Sequence, residues 1–225
     1  MCREALLAGD VVELLHVEGR EELVELVPEG ARVTQVDARV MARVSDAVTP
    51  PGVVAVVRTP PTDTPLPPEG DVLVLDGVAD PGNVGTLVRT AAAFGARVVS
   101  LGGADPFGPK AVRASAGTCY RTPVHRPADR GADPAAGQGG LAVELRGGGR
   151  PVLGLAADGA LDLAGAVAAL QGVGVVLVVG SEPHGMGADV RGTLDAAVRI
   201  AMRPGVESLN VGAAGAIAMH ALMGR

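Results

Sequence analysis

The sequence predicts an α/β protein built on a parallel sheet with helices on both faces. From residue 71 onward, short runs rich in Val and Leu alternate with segments of helical pattern, as in parallel strands joined by crossover helices. The runs at 72–75 (VLVL) and 175–179 (VVLVV) are apolar throughout, which indicates strands buried on both faces. With 225 residues, 48% of them apolar, the chain is sufficient for a large core.

The predicted elements follow in order along this part of the chain. Strands are predicted over 72–75, 97–101, 120–124, 151–156, 173–179 and 197–202, and helices over 83–94, 109–116, 161–170, 187–194 and 208–223. The Gly-rich segment 127–150 predicts a mobile surface loop. The last helix contains GAAGA over 212–216. Because each glycine weakens a helix by about 1 kcal/mol, we expect close packing against a neighbouring element to hold it.

Residues 1–57 predict a smaller α/β unit that precedes the main one. Helices are predicted over 3–8, 21–27 and 38–44, and strands over 11–17, 32–36 and 53–57. Prolines then cluster at Pro60, Pro61, Pro65, Pro67 and Pro68, and repeated proline favours an extended linker. The sequence therefore predicts a first domain over 1–57, a linker over 58–70 and a second domain over 71–225.

Composition limits the classes of function. The chain has no Trp, and aromatic residues make up 1% of it, so it cannot build the aromatic platforms on which single-stranded bases stack. The net charge of −6 disfavours a non-specific nucleic-acid binder. Basic residues nevertheless concentrate in one stretch: Lys110, Arg113, Arg121, Arg126, Arg130, Arg146 and Arg150. A local basic face and ordinary solvated charge both fit this pattern.

Several kinds of site are not indicated. Cys2 and Cys119 give no disulfide framework, and neither the cysteines nor the four histidines show metal-ligand spacing. No G-x-G-x-x-G follows a strand and no G-x-x-x-x-G-K-[ST] is present, which argues against a nicotinamide Rossmann enzyme and a phosphate loop. With no signal peptide and no apolar run near 20 residues, we expect a cytoplasmic protein.

The most informative motif joins a buried strand to a helix over 75–91. Asp80-Pro81-Gly82 is turn chemistry, and Asn83 suits the N-cap of the helix that follows. This places Arg89 on the second helical turn. Because open α/β sheets build ligand sites at the carboxyl ends of their strands, the pattern predicts a site for an anionic ligand. A capped helix with a solvated arginine is the alternative.

Two further strand ends carry polar loops. G-S-E-P-H-G follows a buried strand at 180–185, and S-L-N at 208–210 precedes the last helix. Glu182 is either a site carboxylate or an exposed loop acid, and Ser208 is either a site residue or a helix cap. These alternatives stay open on the residues alone.

The three motifs, in this order, resemble those of the SpoU-type RNA ribose 2'-O-methyltransferases, a branch of the SPOUT superfamily. The intervening D-P-F at 105–107, Lys110 and R-A-S-A-G at 113–117 match as well. The resemblance is strong over 70–225. It is weaker over 1–57, which is similar to the family's small L30e-like RNA-binding domain without its opening strand. The resemblance also implies a C-terminal deep trefoil knot and a homodimer formed through the knotted domain.

The resemblance implies transfer of a methyl group from S-adenosylmethionine to a ribose 2'-hydroxyl of tRNA or rRNA, with no metal. It implies catalytic roles for Asn83, Arg89, Glu182, Ser208 and Asn210. It implies cofactor contacts by Leu101, Gly102, Gly180, Ile200, Met202 and Leu209. Because a guanidinium stays protonated, Arg89 suits a phosphate clamp better than a base. A non-catalytic knotted domain that binds RNA or protein in ribosome assembly is the alternative.

Overall fold

The computed structural model describes residues 2–8, 11–45, 47, 49–127, 142–170, 172–182 and 184–224. The α-helices are Cys2–Ala8 (α1), Ala38–Val44 (α2), Pro81–Ala93 (α3), Pro109–Ala114 (α4), Leu163–Ala169 (α5), Ala188–Arg191 (α6) and Val211–Met223 (α7). The strands are Val11–His16 (β1), Arg32–Gln35 (β2), Val53–Val57 (β3), Val72–Asp76 (β4), Arg97–Leu101 (β5), Val124–His125 (β6), Val152–Leu155 (β7), Leu161–Asp162 (β8), Val176–Gly180 (β9) and Ala196–Arg199 (β10). Short 3-10 helices cover Glu21–Leu26, Thr118–Tyr120 and Gly147–Gly149.

A seven-stranded sheet forms the centre of the protein, in the order β6-β5-β4-β9-β7-β10-β8. Every neighbouring pair in it is parallel, which confirms the predicted sheet. Asp76, the last residue of β4, lies opposite Leu101 of β5 and Gly180 of β9. The three strands therefore end level with one another, at a common carboxyl edge.

Each face of this sheet carries its own core, so helices cover both faces as predicted. On one face, strand residues such as Leu75 and Leu177 pack with Leu87 of α3 and Met219 of α7. On the other face, Val74 and its neighbours pack with Val190 of α6. Within the described residues, no helix is both long and apolar enough to cross a membrane.

Small residues bring the helices of the first face close together. A Cβ on Gly85 of α3 would collide with the carbonyl oxygen of Ala111 in α4, and one on Gly215 of α7 would collide with Leu87 of α3. The small-residue helix is thus held by close packing, as the sequence indicates. Its main partner across the glycines is the helix α3, and the side chain of Val179 in β9 lies behind it.

The N-terminal residues form a second, three-stranded sheet in the order β2-β1-β3. Strand β1 runs parallel to β2 and antiparallel to β3. Tyr120 of the main unit packs against its small core, and Arg121 Nη1 donates to Glu4 Oε2 at 2.9 Å. These contacts join the two units.

Several predicted boundaries are wrong in detail. The helix predicted over 21–27 is a 3-10 helix over Glu21–Leu26, the strand at 120–124 shrinks to Val124–His125, and Leu161–Asp162 adds a short edge strand before α5. Within the Gly-rich segment, residues 128–141 lie outside the described part of the chain. Residues 142–145 are helical and Gly147–Gly149 form a 3-10 turn, so the segment is not a loop throughout.

Candidate active site

Three motif side chains form one hydrogen-bonded chain at the carboxyl edge of the sheet. Asn83 Nδ2 donates to Glu182 Oε1 at 2.7 Å. Asn83 Oδ1 accepts from Asn210 Nδ2 at 3.0 Å. Residues from three separate loops thereby meet at the amide of Asn83, and both ends of that amide are engaged.

Asn83 does not cap its helix, contrary to the sequence prediction. Helix α3 begins at Pro81, and its N-cap is Asp80, whose carboxylate accepts from the backbone N–H of Asn83 at 2.9 Å. Asp80 Oδ2 also receives a hydrogen bond from Lys110 Nζ at 2.7 Å. The Lys110 ammonium, together with the Asn83 N–H, lowers the pKa of Asp80 below its usual value. Since Asp80 does the capping, the side chain of Asn83 is free to point into the site.

Asn210, rather than Ser208, caps the last helix. Helix α7 begins at Val211, and Asn210 Oδ1 accepts from the backbone N–H of Ala213 at 3.2 Å. The other end of the same side chain reaches Asn83. A Cβ on Gly212 would lie 3.3 Å from Asn83 Oδ1, so the absence of a side chain there lets the two helix starts meet.

The motif-2 loop is residues 181–187, of which Pro183 lies outside the described residues, and backbone contacts bring Ser181 next to Gly185. Ser181 and Gly185 exchange backbone hydrogen bonds of 3.0 and 2.9 Å. A Cβ on Gly180 would collide with the backbone of Gly185, so the glycine at 180 is required by the protein's own chain. Asp76, which the sequence analysis did not single out, accepts from the backbone N–H of Gly187 at 2.6 Å. A carboxylate directly after the apolar run 72–75 is the sequence feature that could have identified it.

Arg89 and Ser208 lie outside the hydrogen-bonded chain. Because α3 starts at Pro81, Arg89 lies on its third turn rather than its second. Its side chain is exposed and has no hydrogen-bond or ion-pair partner among the described residues. Ser208 is likewise exposed, in the segment leading to α7. The guanidinium is thus available to a ligand.

The residues expected to contact a cofactor differ in exposure. Leu101 is buried in the core, whereas Ile200 and Met202 are half-buried and Leu209 is 38% exposed. At Gly102 (φ +80°), a Cβ would have no neighbour within 4 Å. Apolar side chains and bare backbone are therefore accessible near the ends of β5 and β10.

Most of the described residues of the basic stretch form ion pairs with nearby carboxylates. Its members pair locally, Lys110 with Asp80, Arg121 with Glu4, Arg126 with Asp105 and Arg146 with Asp195. Arg113 is exposed, and Arg130 lies outside the described residues. Since most of the described cations have carboxylate partners, the interpretation as ordinary surface charge is favoured.

Arg150 has a different, structural role. It is 3% exposed, its guanidinium donates to backbone carbonyls including Leu145 and Gly70, and burial lowers its pKa. It lines a cavity of about 640 Å³ at the amino edge of the sheet, opposite the motifs. Because the N–H groups of Arg150 donate to backbone carbonyls, this side chain stabilises the end of the linker and does not form an anion-binding site.

Other candidate chemistry is not supported. Cys119 is fully buried, and burial raises the pKa of its thiol, as expected of a packed side chain. Among the residues that the structure describes, no cluster of His, Cys, Asp and Glu could hold a metal ion.

A parallel α/β sheet with polar loops gathered at its carboxyl edge defines a ligand-binding α/β enzyme. Residues 71–220 match the SpoU rRNA Methylase family. The chain is 34% identical over 199 residues (85% of this chain, 69% of the relative) to the 23S rRNA (adenosine(1067)-2'-O)-methyltransferase of Streptomyces laurentii. It is 29% identical over 226 residues (100% and 86%) to the 23S rRNA (guanosine(2553)-2'-O)-methyltransferase RlmP of Bacillus subtilis.

A solved structure is similar over nearly the whole chain. The AdoMet-bound rRNA methyltransferase from Sinorhizobium meliloti superimposes with a TM-score of 0.80 at 27% identity, covering 98% of this chain and 83% of that one. The chain belongs to the SpoU family of RNA methylases.

Proposed function

We propose that this protein transfers a methyl group from S-adenosylmethionine to the 2'-hydroxyl of a ribose in RNA, tRNA or rRNA. The observation that carries the proposal is the chain Glu182–Asn83–Asn210, which joins three family motifs, with the exposed Arg89 further along the same helix as Asn83. Membership of the SpoU family supports the reaction class, and two relatives named as 23S rRNA methyltransferases favour rRNA.

The residues at the carboxyl edge of the sheet fit the cofactor. S-adenosylmethionine supplies an electrophilic methyl group on a positively charged sulfur. Ile200, Met202 and Leu209 provide apolar surface for its adenine, and the bare backbone at Gly102 allows close approach. Gly180, whose side-chain position is filled by the backbone of Gly185, is proposed to contact the cofactor through its main chain. Leu101, whose side chain is buried, contributes through its main chain.

Asn83 is proposed to orient the ribose. Its amide is fixed at both ends, because Nδ2 donates to Glu182 and Oδ1 accepts from Asn210. An amide carries two N–H hydrogens and two acceptor lone pairs. One N–H hydrogen of Nδ2 and one lone pair of Oδ1 therefore remain for the substrate. The bonds to Glu182 and Asn210 set the direction in which they point. Such pre-orientation contributes to rate by aligning the hydroxyl with the methyl carbon.

Arg89 is proposed to bind an RNA phosphate. Its guanidinium is exposed, stays protonated and suits bidentate contact with phosphate oxygens. The bound phosphate is proposed to help accept the proton from the 2'-hydroxyl. Ser208, exposed two residues before Asn210, is proposed to contribute its hydroxyl to the site.

The finer architecture is also proposed. Residues 71–225 form the knotted methyltransferase domain, residues 1–57 an L30e-like RNA-binding domain, and residues 58–70 the linker.

Exposed apolar side chains on α7 and the segment before it, Ile217 (44%) and Val206 (50%), favour a homodimer through the second domain. Sedimentation velocity checks this: an Ile217→Asp variant should shift the protein to monomer. We place the protein in the cytoplasm, with its RNA substrate.

The test is transfer of radiolabelled methyl from S-adenosylmethionine to total tRNA and, separately, to rRNA. Arg89→Ala is expected to lose about two orders of magnitude in rate, as for removal of a positioning contact, without loss of stability. Arg58→Ala, which removes an exposed arginine outside the residues that match the family, is the control. Label resistant to alkaline hydrolysis at one linkage identifies the 2'-O-methyl product. Cofactor binding without label in either pool would favour the non-catalytic alternative.

A further inference from the structure

Asp76 is a buried carboxylate at the end of the central strand β4. It is 5% exposed, and its Oδ2 accepts from the backbone N–H of Gly187 at 2.6 Å. Gly187 closes the motif-2 loop, residues 181–187. A short bond between a carboxylate and a backbone N–H is among the stronger hydrogen bonds in proteins, and this one is partly buried. The carboxyl edge of the sheet therefore holds the far end of this loop.

A second side chain holds the same loop from the other side. Arg191 Nε donates to the carbonyl oxygen of Met186 at 2.9 Å. Asp76 and Arg191 thus engage the N–H of Gly187 and the C=O of Met186, two consecutive residues. The near end of the loop is fixed by the backbone pair between Ser181 and Gly185. Glu182 lies inside the turn that the Ser181–Gly185 pair closes, and Met186 and Gly187 directly follow that turn.

The position of Glu182 decides how Asn83 is oriented, since the exposed Glu182 carboxylate receives the hydrogen bond from Asn83 Nδ2. We propose that Asp76 is a positioning residue of the methyl-transfer site, which acts by holding residues 181–187 so that Glu182 meets Asn83. The expected effect of Asp76 on methyl transfer rests on the proposed function. The expected effect of Asp76 on the position of residues 181–187 rests only on the contacts described above.

The same strand offers a matched control. Asp71, just before β4, accepts from the backbone N–H of Val175 through Oδ1 at 2.8 Å. The bond is of the same kind and also reaches the neighbourhood of β9, but at the amino edge of the sheet. Asp71→Asn and Asp76→Asn therefore each remove one carboxylate charge, the first just before β4 and the second at its end, and of the two hydrogen bonds only that of Asp76 reaches the motif-2 loop.

The experiment measures hydrogen exchange of the full-length protein and its methyl-transfer kinetics together. Asp76→Asn is expected to speed exchange in 181–187 and to lower kcat by about tenfold to a hundredfold, as for a misplaced catalytic group. Asp71→Asn is expected to leave exchange in that segment and kcat near wild type. Combined with Glu182→Ala, Asp76→Asn should add little further loss, since both changes remove one interaction.

The outcomes separate this proposal from the proposed function. Wild-type exchange over 181–187 in Asp76→Asn would overturn the positioning role whatever the methylation assay gives. Faster exchange there, in a protein whose wild type transfers no methyl to any RNA, would support the positioning role and refute the function. Should Asp76→Asn fail to fold, Arg191→Gln removes the other contact from an exposed side chain. Unchanged exchange over 181–187 in that variant would also count against the proposal.

Discussion

Asn83 and Asn210 lie 127 residues apart in the chain and share a hydrogen bond of 3.0 Å. Asn210 uses its other end to cap α7 through the N–H of Ala213. One side chain therefore connects the start of α7 to the start of α3. Asn210 therefore contributes both to the stability of α7 and to the geometry of the site. Substitutions can separate these two contributions.

Asn210→Asp should impair methyl transfer while sparing stability. A carboxylate still accepts from Ala213 and suits a helix N-terminus, but it has no hydrogen to donate to Asn83. We expect the unfolding free energy to stay within about 0.5 kcal/mol of wild type and the transfer rate to fall about tenfold. Denaturant unfolding and single-turnover kinetics measure the two effects.

Asn210→Ala removes both interactions and should also destabilise the protein, by about 1 kcal/mol for the lost cap. Asp162 gives the matched control, because it caps α5 through Gly165 N without belonging to the motifs. Asp162→Ala should show a similar loss of stability with normal methyl transfer. Equal activity losses in the two alanine variants would contradict a site role for Asn210.

Asn83→Ala should leave both of its partners without a hydrogen bond. Glu182 and Asn210 are exposed and can turn to water, so we expect a stability loss of about 1 kcal/mol or less. The loss in kcat should be about a hundredfold, because the oriented amide is gone. Thr86→Ala, which lies one turn along the same helix and removes a hydroxyl that donates to Gly82 O, is the control. A stable Asn83→Ala enzyme with normal kcat would refute the assignment.

Gly85→Ala should destabilise the protein, although alanine favours a helix. The intrinsic gain is about 1 kcal/mol, whereas the new Cβ collides with the backbone carbonyl of Ala111 and overpacking costs about 1–3 kcal/mol. We expect a net lowering of Tm by a few degrees, measured by calorimetry. In Gly192→Ala, the Cβ would meet its nearest atom at 3.5 Å, so Tm should change little. An unchanged Tm in Gly85→Ala would mean that α3 and α4 separate easily.

The Asp80 carboxylate gives a pH-dependent prediction. Its pKa is lowered from 3.8, first by the hydrogen bond from Lys110 and then by the N–H of Asn83. A carboxylate with a lower pKa in the folded state stabilises the fold above its unfolded pKa, and this contribution disappears as pH falls through the folded value. The difference in stability between wild type and Asp80→Asn should therefore be constant near neutral pH and shrink below about pH 4.

Lys110→Met should raise the pKa of Asp80 back toward its ordinary value, since the largest cause of the shift is removed. NMR titration of the Asp80 carboxyl carbon measures this directly. Arg126→Met, which breaks the separate contact with Asp105, should leave the Asp80 titration unchanged. An Asp80 pKa that does not respond to Lys110→Met would show that the ion pair does not form in solution.

The local sequence was sufficient for the main architecture. Uninterrupted apolar runs such as 72–75 can be buried only between two helical layers, so they fixed the class of sheet. The turn at 80–82 fixed the position of the helix behind it to within two residues. The cap itself was misassigned, because Asp80 and Asn83 are both good caps and the choice depends on where the chain enters the helix.

The sequence by itself determined the α/β class, the three motifs and their order, because strand burial and turn chemistry depend on neighbouring residues. The tertiary structure decided which side chains meet. The bonds from Asn83 to Glu182 and Asn210, and the contact of Asp76 with Gly187, span roughly a hundred residues each. They arise from the order of strands in the sheet. That order is set by the packing of the whole domain, which no local pattern encodes.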